Sequence, residues 1–359
     1  MPKAISVSST GREDGYIMIA LLLIMVVGGS SFVLAGLSNR QSAYLAQQKE
    51  LHIQMEEAKA ALLAYAANSS NLYSDARGPG FFPCPDTDKD GQPQATCNSN
   101  TARIGRLPEY ENFSGTYFRF NDTYKGTDQQ FWYVVGPRYV YDTATASNRR
   151  SRNRTSTSLS AATSYRLKLD GTTGYVAFII APGEALGTQD RATGATSYAN
   201  YLDGNNGDNG FDFYTSDSTS PELFNDQILG ITLDEYMVAV GAAVARDMKT
   251  VIDAYAANPL TGNGSYPSDS GSLTSTSCPT SSSGTTFSNL FDAQHVWLRD
   301  GYGTSAGNGN NNERWSCPSG VYWNRLSVTS TGELKFNGCT NLKFTMTYGG
   351  GIVRSGNGC

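Results

Sequence analysis

The run Tyr16 to Leu37, YIMIALLLIMVVGGSSFVLAGL, carries no charge and is apolar on every side. A helix rising ~1.5 Å per residue over such a run reaches across a hydrocarbon layer of ~30 Å, so the pattern predicts a membrane span over 16–37. After Ser38-Asn39-Arg40 the pattern becomes one-sided. Tyr44, Leu51, Met55, Ala58, Leu62 and Tyr65 fall on one seam of Gln41–Asn68, which predicts an amphipathic continuation of the same helix over 38–70. Runs of aromatic and β-branched residues then alternate with polar turns, and Gly115–Phe120, Gln129–Val135, Tyr165–Leu169 and Tyr175–Ile180 read as strands. Thr232 and Glu235 form a capping box that opens a second helix, with Met237, Val240, Val244, Met248, Val251 and Tyr255 along one face. Short strands return at Val321–Val328, Glu333–Phe336 and Leu342–Tyr348.

The two helices share a pattern. Ala58–Asn68 reads AKAALLAYAAN and Met248–Asn258 reads MKTVIDAYAAN, matching at six of eleven positions. Each copy leads into an aromatic-proline pair, Phe82-Pro83 or Tyr266-Pro267. Alanine-rich helix ends can match by accident. If the repeat is real, the chain holds two helix-plus-sheet modules.

Composition narrows the function classes. The chain has 359 residues, 16% of them charged, and a net charge of −5, which argues against bulk nucleic-acid binding. Only two histidines occur, His52 and His295, and neither stands in a catalytic or zinc-ligand constellation. No G-x-S-x-G frames a serine nucleophile. An enzyme is therefore not expected. The six cysteines, Cys84, Cys97, Cys278, Cys317, Cys339 and Cys359, all follow the apolar run and include no CxxC pair. Disulfides in an oxidising compartment suit them better than zinc. Proximity favours Cys84–Cys97, with Cys278–Cys317 and Cys339–Cys359 as further pairings.

The leader ending Glu13-Asp14-Gly15 before Tyr16 and the apolar helix resembles the class III signal of type IV pilins and type II secretion pseudopilins. The resemblance implies cleavage by prepilin peptidase after Gly15, N-methylation of Tyr16 and packing of the apolar helix into a filament core with other pilins. Asp14 and Ala20 depart from the family pattern, which favours a basic residue before the glycine and a glutamate at mature position five. An unpaired carboxylate in an apolar core is costly. Ala20 therefore suits a subunit with no neighbour above it, at or near the tip. The following region is similar to large pilin-like proteins of bacterial pilus and secretion clusters. The similarity runs in order through Pro83-Cys84-Pro85-Asp86, Ile104-Gly105-Arg106-Leu107-Pro108, Phe131–Val135, Val176–Gly183, Asn200-Tyr201-Leu202, Phe224–Ile228 and Ile231–Glu235.

The implied fold is α+β: a long N-terminal membrane-spanning helix packed on an antiparallel sheet head, with a second helix-plus-sheet module as an option. The corresponding divisions are a leader at 1–15, the span at 16–37, its continuation at 38–70, a β-rich head at 71–230 and a C-terminal helix and β-rich module at 231–359.

Asp86, Asp88 and Asp90 with Gly91 spell D-x-D-x-D-G, the opening of a calcium loop. Position twelve of that loop is Cys97, not the bidentate glutamate of an EF-hand. The alternative is an Asx-type turn closed by a disulfide. Asp203, Asn205, Asp208 and Asp212 form a second oxygen-rich stretch that glycine dominates, and it reads as a solvated loop rather than as a second calcium site. Arg149, Arg150, Arg152 and Arg154 are the one basic cluster, either a phosphate grip for DNA or a soluble polar loop.

The expected function is that of a minor pilin or pseudopilin that assembles or primes a type IV pilus-like or type II secretion filament and that could take part in cell adhesion. The expected location is the bacterial inner membrane with a periplasmic head, then a cell-surface pilus or periplasmic pseudopilus. The alternative is a membrane-anchored extracytoplasmic binding protein for a glycan or another surface ligand, never assembled into a filament.

Overall fold

The computed structural model describes residues 42–69, 72, 79–95, 97, 103–113, 116–120, 130–136, 139–140, 167–187, 189–191, 197–208, 210–216, 224–257, 259, 264–266, 321–325, 331–336 and 339–358. The chain divides into two compact units, Met1–Gln54 and Met55–Cys359. In the first, residues 42–54 are helical, with Tyr44, Leu45 and Ile53 exposed. All further structure belongs to the second unit.

The second unit begins with helical residues 55–69, here α1, whose Met55, Ala58, Leu62, Tyr65 and Ala66 are buried. These buried positions fall at helical spacing, so one stripe of α1 faces the interior. A six-stranded sheet follows. Its path runs β1 (Ile104–Arg106), β4 (Trp132–Val135), β6 (Thr172–Ala181), β5 (Leu167–Leu169) and β7 (Asp212–Phe213), and β8 (Gln227–Thr232) also pairs with β6. All pairings are antiparallel except β5 with β7. β2 (Tyr110–Phe113) and β3 (Thr116–Arg119) form a separate hairpin.

β4 is WYVV and buried at all four positions, so both faces of the sheet are covered. Alternation sends Trp132 and Val134 to one side, where they pack with Ile104, Leu167, Phe178, Ile180, Tyr201, Leu202 and Phe213. α2 (Leu233–Ala257) follows β8 directly. Its capping box is formed: the Glu235 amide donates to Thr232 Oγ1 at 3.2 Å, and the Thr232 amide donates to Glu235 Oε2 at 2.9 Å. α2 lies against β6 and β8 and also against β11 (Cys339–Thr347) and β12 (Ile352–Ser355). These last belong to a four-stranded antiparallel sheet of order β12-β11-β10-β9, with β9 at Val321–Arg325 and β10 at Thr331–Phe336.

Two expectations need correction. The α+β pilin-like fold built on a long membrane-spanning helix is not observed: the described residues form twelve strands in three sheets, and their α-helix is limited to residues 42–69, a single further residue at 72 and α2, beside short 3-10 turns at Tyr198–Asn200 and Gly204–Gly207. No helix among the described residues is long and apolar enough to cross a membrane. The physical reason is charge. Lys49, Glu50, Glu56, Glu57 and Lys59 interrupt residues 42–69, and Asp234, Glu235, Arg246, Asp247, Lys249 and Asp253 interrupt α2. Membrane anchorage, pairing with pilins through an N-terminal helix, a prepilin-peptidase partnership and an inner-membrane or pilus location thus find no support in the described residues. The expected span Tyr16–Leu37 and leader lie outside them.

The expected strands at Gly115–Phe120, Gln129–Val135, Tyr165–Leu169 and Tyr175–Ile180 correspond to β3, β4, β5 and β6 with shifted ends.

Candidate functional site

Asp86 is the anchor of the acidic turn. Its backbone is fixed by a two-way bridge to β1, with the Asp86 amide donating to the Arg106 carbonyl at 2.9 Å and the Arg106 amide to the Asp86 carbonyl at 2.7 Å. Its side chain is only 1% exposed. Oδ1 accepts the amides of Asp88 (3.1 Å) and Lys89 (2.7 Å), and Oδ2 accepts the amide of Gly91 (3.0 Å). Burial pushes the Asp86 carboxyl pKa up, and the three amides pull it back in part. Asp88 Oδ1 accepts the Asp90 amide at 3.4 Å, and Asp90 Oδ1 accepts the Gln92 amide at 2.7 Å. Asp88 lies below the usual carboxylate range, chiefly through a hydrogen bond from Gln94. The expected Cys84–Cys97 disulfide is formed and closes the base of this turn.

The hydrogen bonds and the disulfide match the Asx-turn reading. The turn is Asx-anchored and closed by a disulfide, and it also gathers one oxygen from each of Asp86, Asp88 and Asp90 within 4.8 Å of one another. Three carboxylates at that separation repel unless a proton or cation intervenes, and a hard oxygen set suits calcium. Asp86 already spends both oxygens on amides, so Asp88 and Asp90, both exposed, would supply the freer electron pairs.

The stretch Asp203 to Asp212 is a solvated loop only in part: Asn205 and Asp208 are exposed, but the stretch is anchored by buried polar side chains. Asp203 is 2% exposed, Asn206 is fully buried and Asp226, from the run into β8, is 5% exposed. Asp203 Oδ2 accepts the amides of Asn225 (2.7 Å) and Asp226 (3.1 Å), and its Oδ1 accepts Gln189 Nε2 at 2.9 Å. In return the Asp203 amide and Asn206 Nδ2 donate to Asp226 Oδ2, at 2.8 and 3.0 Å. Composition could not reveal this burial, because the partners lie 20 to 23 residues away. A signal existed in Asn225-Asp226, an acid beside an amide just ahead of a β-branched strand.

Arginines packed on aromatic rings, two of them buried, were also missed. Arg103 Nη2 donates to the Gly210 carbonyl at 2.6 Å, its guanidinium lies 3.6 Å from the Phe211 ring centroid, and burial lowers its pKa to about 10. Arg106 and Arg191 lie on the Tyr201 ring at 5.5 and 5.4 Å.

Gly15, Tyr16, Arg149, Arg150, Arg152, Arg154, His295, Cys278, Cys317 and Cys359 lie outside the described residues. Cys339 begins β11. His52 is exposed in the first unit.

Set beside known protein families, curated proteins and solved structures, the chain matches none of them. The pilin resemblance therefore rests on the motifs alone.

Proposed function

We propose that this chain is a structural subunit of the minor pilin or pseudopilin kind, contributing through its folded head to the assembly or priming of a type IV pilus-like or type II secretion filament, and that it is not an enzyme. The observation that carries the reading is where the similar motifs fall. Pro83–Asp86 and Ile104–Pro108 form the bridge between the acidic turn and β1, Phe131–Val135 contains β4 and Val176–Gly183 contains most of β6. Asn200–Leu202 enters the core beside Trp132, and Phe224–Ile228 with Ile231–Glu235 carries β8 into α2. The similarity thus follows the buried framework rather than one surface loop, as a shared architecture requires and a chance composition match does not. No membrane helix and no helix-mediated pairing forms part of this reading.

Removing the gene from the producing bacterium tests it. The expected outcome is a sharp loss of surface filaments or of exported protein, restored when the gene is supplied again. Unchanged filaments and unchanged export would sink the reading.

A second reading concerns the acidic turn alone, and the convergence of Asp86, Asp88 and Asp90 within 4.8 Å favours it. Here calcium serves as a structural ion that holds the turn against the disulfide. Titration calorimetry of the full chain is then expected to register calcium binding, and excess calcium to raise the melting temperature of the wild type but not of Asp88→Ala. No heat, with both proteins melting alike, discards it.

A further inference from the structure

We infer that Asp203 and Asp226 form a pH-sensitive clasp, closed in mildly acid solution and loosened toward alkaline pH, that ties the run into β8 to the loop ahead of β7. The clasp has two reciprocal halves. The amide of Asp203 donates to the Asp226 carboxylate, and the amide of Asp226 donates to that of Asp203. Gln189 and the Asn225 amide complete the bonds to Asp203, and Asn206 adds a bond to Asp226 while its Oδ1 accepts the Tyr214 amide at 2.9 Å. Three short segments, around residues 189, 203–206 and 225–226, thus meet at two carboxyl groups, and Asn206 links them to Tyr214.

The two carboxyls differ. Both Asp203 oxygens accept hydrogen bonds, three in total. Asp226 uses only Oδ2, and its Oδ1 is buried with no hydrogen-bond partner. A full charge on that oxygen is poorly stabilised, so the proton shared by the site belongs on Asp226. The charged groups acting on Asp226 are Asp203, which opposes its ionisation, and Arg191, which favours it. Arg191 spends its donors on the carbonyls of Gly183, Glu184, Asn200 and Tyr201 and on Gln189 Oε1, and none of these bonds reaches either carboxylate. Burial, with the charge of Asp203 added, pushes the Asp226 pKa up to about 7 against the pull of its hydrogen bonds.

The sign follows. An open or unfolded Asp226 ionises near ~3.9, whereas the closed clasp holds its proton to near neutrality. Between these values the closed form binds the extra proton, so raising the pH draws the equilibrium toward the open form, and the full penalty is present above neutrality. Two buried negative charges then face each other across the shared amides.

Thermal unfolding of the full-length chain between pH 5 and pH 8, for the wild type and Asp226→Asn, tests the clasp. The asparagine keeps an acceptor for the Asp203 amide and cannot ionise. The wild type is expected to lose on the order of 5 °C relative to the variant across that range. A constant difference between the two proteins over the whole range overturns the clasp. Should Asp226→Asn fail to fold, the carboxyl carbon of Asp226, followed by NMR in the wild type, decides. A midpoint near neutrality supports the clasp, and a midpoint in the ordinary carboxylate range overturns it.

Discussion

The C-terminal ends of α1 and α2 start from the same sequence pattern and are finished by different neighbours. In each, a buried aliphatic residue faces the interior, Leu62 or Ile252, both fully buried. In each, an alanine carbonyl near the helix end accepts the amide of a later glycine, Ala66 from Gly80 at 2.6 Å and Ala256 from Gly264 at 2.8 Å. Both glycines have positive φ, 108° and 83°, and two residues further on a buried aromatic follows, Phe82 or Tyr266. The repeat seen in the letters is therefore also a repeat in backbone geometry. The polar contacts diverge. Lys59 leaves its own helix to meet Glu235 at 2.6 Å and the Gly230 carbonyl at 3.0 Å, whereas Lys249 pairs with Asp253 one turn along its own helix and donates to the Thr347 carbonyl at 3.1 Å. Tyr65 donates to Glu111 at 2.5 Å in the first copy, while in the second it is Tyr266, after the glycine, that donates to Asp253 at 2.6 Å. Backbone geometry thus repeats where only the helix and its glycine are involved, and side-chain partnership varies with what lies beyond.

The comparison is broken most severely at the core. Leu62→Ala and Ile252→Ala each remove a fully buried aliphatic side chain and should cost about 2–5 kcal/mol, read as a lower urea midpoint with unchanged slope. A cost at Ile252 well below that at Leu62 would mean that the second copy tolerates collapse where the first does not.

The lysines should separate the copies. Lys59→Met strands the Gly230 carbonyl and removes a partner of Glu235, and Lys249→Met strands the Thr347 carbonyl and removes a partner of Asp253, each at roughly 1–3 kcal/mol, so the copies should differ in their response to pH rather than in size. Burial alone would raise the Glu235 pKa, but hydrogen bonds from Lys59 and Thr232 outweigh it and hold the carboxyl below its usual range. The stability from this pair is therefore present above the unfolded carboxylate pKa and is lost as pH falls through the depressed folded value. Acid unfolding followed by circular dichroism should show that loss in the wild type and a smaller one in Lys59→Met, where only the Thr232 bonds remain.

The smallest effect should also be the most even. Gly80→Ala and Gly264→Ala each force a side chain into a positive-φ conformation, at about 1–2 kcal/mol, so the two melting temperatures should fall by similar amounts. A silent Gly264→Ala beside a damaging Gly80→Ala would show that only the first copy depends on its turn.

Much of this was open to reading from the chain, for local reasons. The α2 start was legible because Thr232 and Glu235 satisfy each other within one turn, and β4 and β6 because WYVV and VAFII are strand-forming runs. The Cys84–Cys97 pairing was legible from nearness in sequence. β1 was not, since three residues ending in a buried Arg106 carry no strand pattern of their own; β4 and the Asp86 turn supply it. The burial of Asp203 and Arg103 was hidden for the same reason, with partners such as Gly210, 107 residues from Arg103, supplied by the fold. The fold class was misjudged because the longest apolar run dominated the reading, while the described architecture is built from many short strands, each a weak signal alone.

The hydroxyl of Tyr236 donates to the Gly80 carbonyl at 2.8 Å across 156 residues of sequence, and its ring packs on Phe82 and Tyr139 at 5.6 and 5.1 Å. A chain emerging from the ribosome makes α1 and its glycine turn long before it makes α2. Until Tyr236 is available, that carbonyl and the apolar side chains around it have no permanent cover. Contacts so distant in sequence form late in folding, and until this one closes the apolar surface around it is open to aggregation.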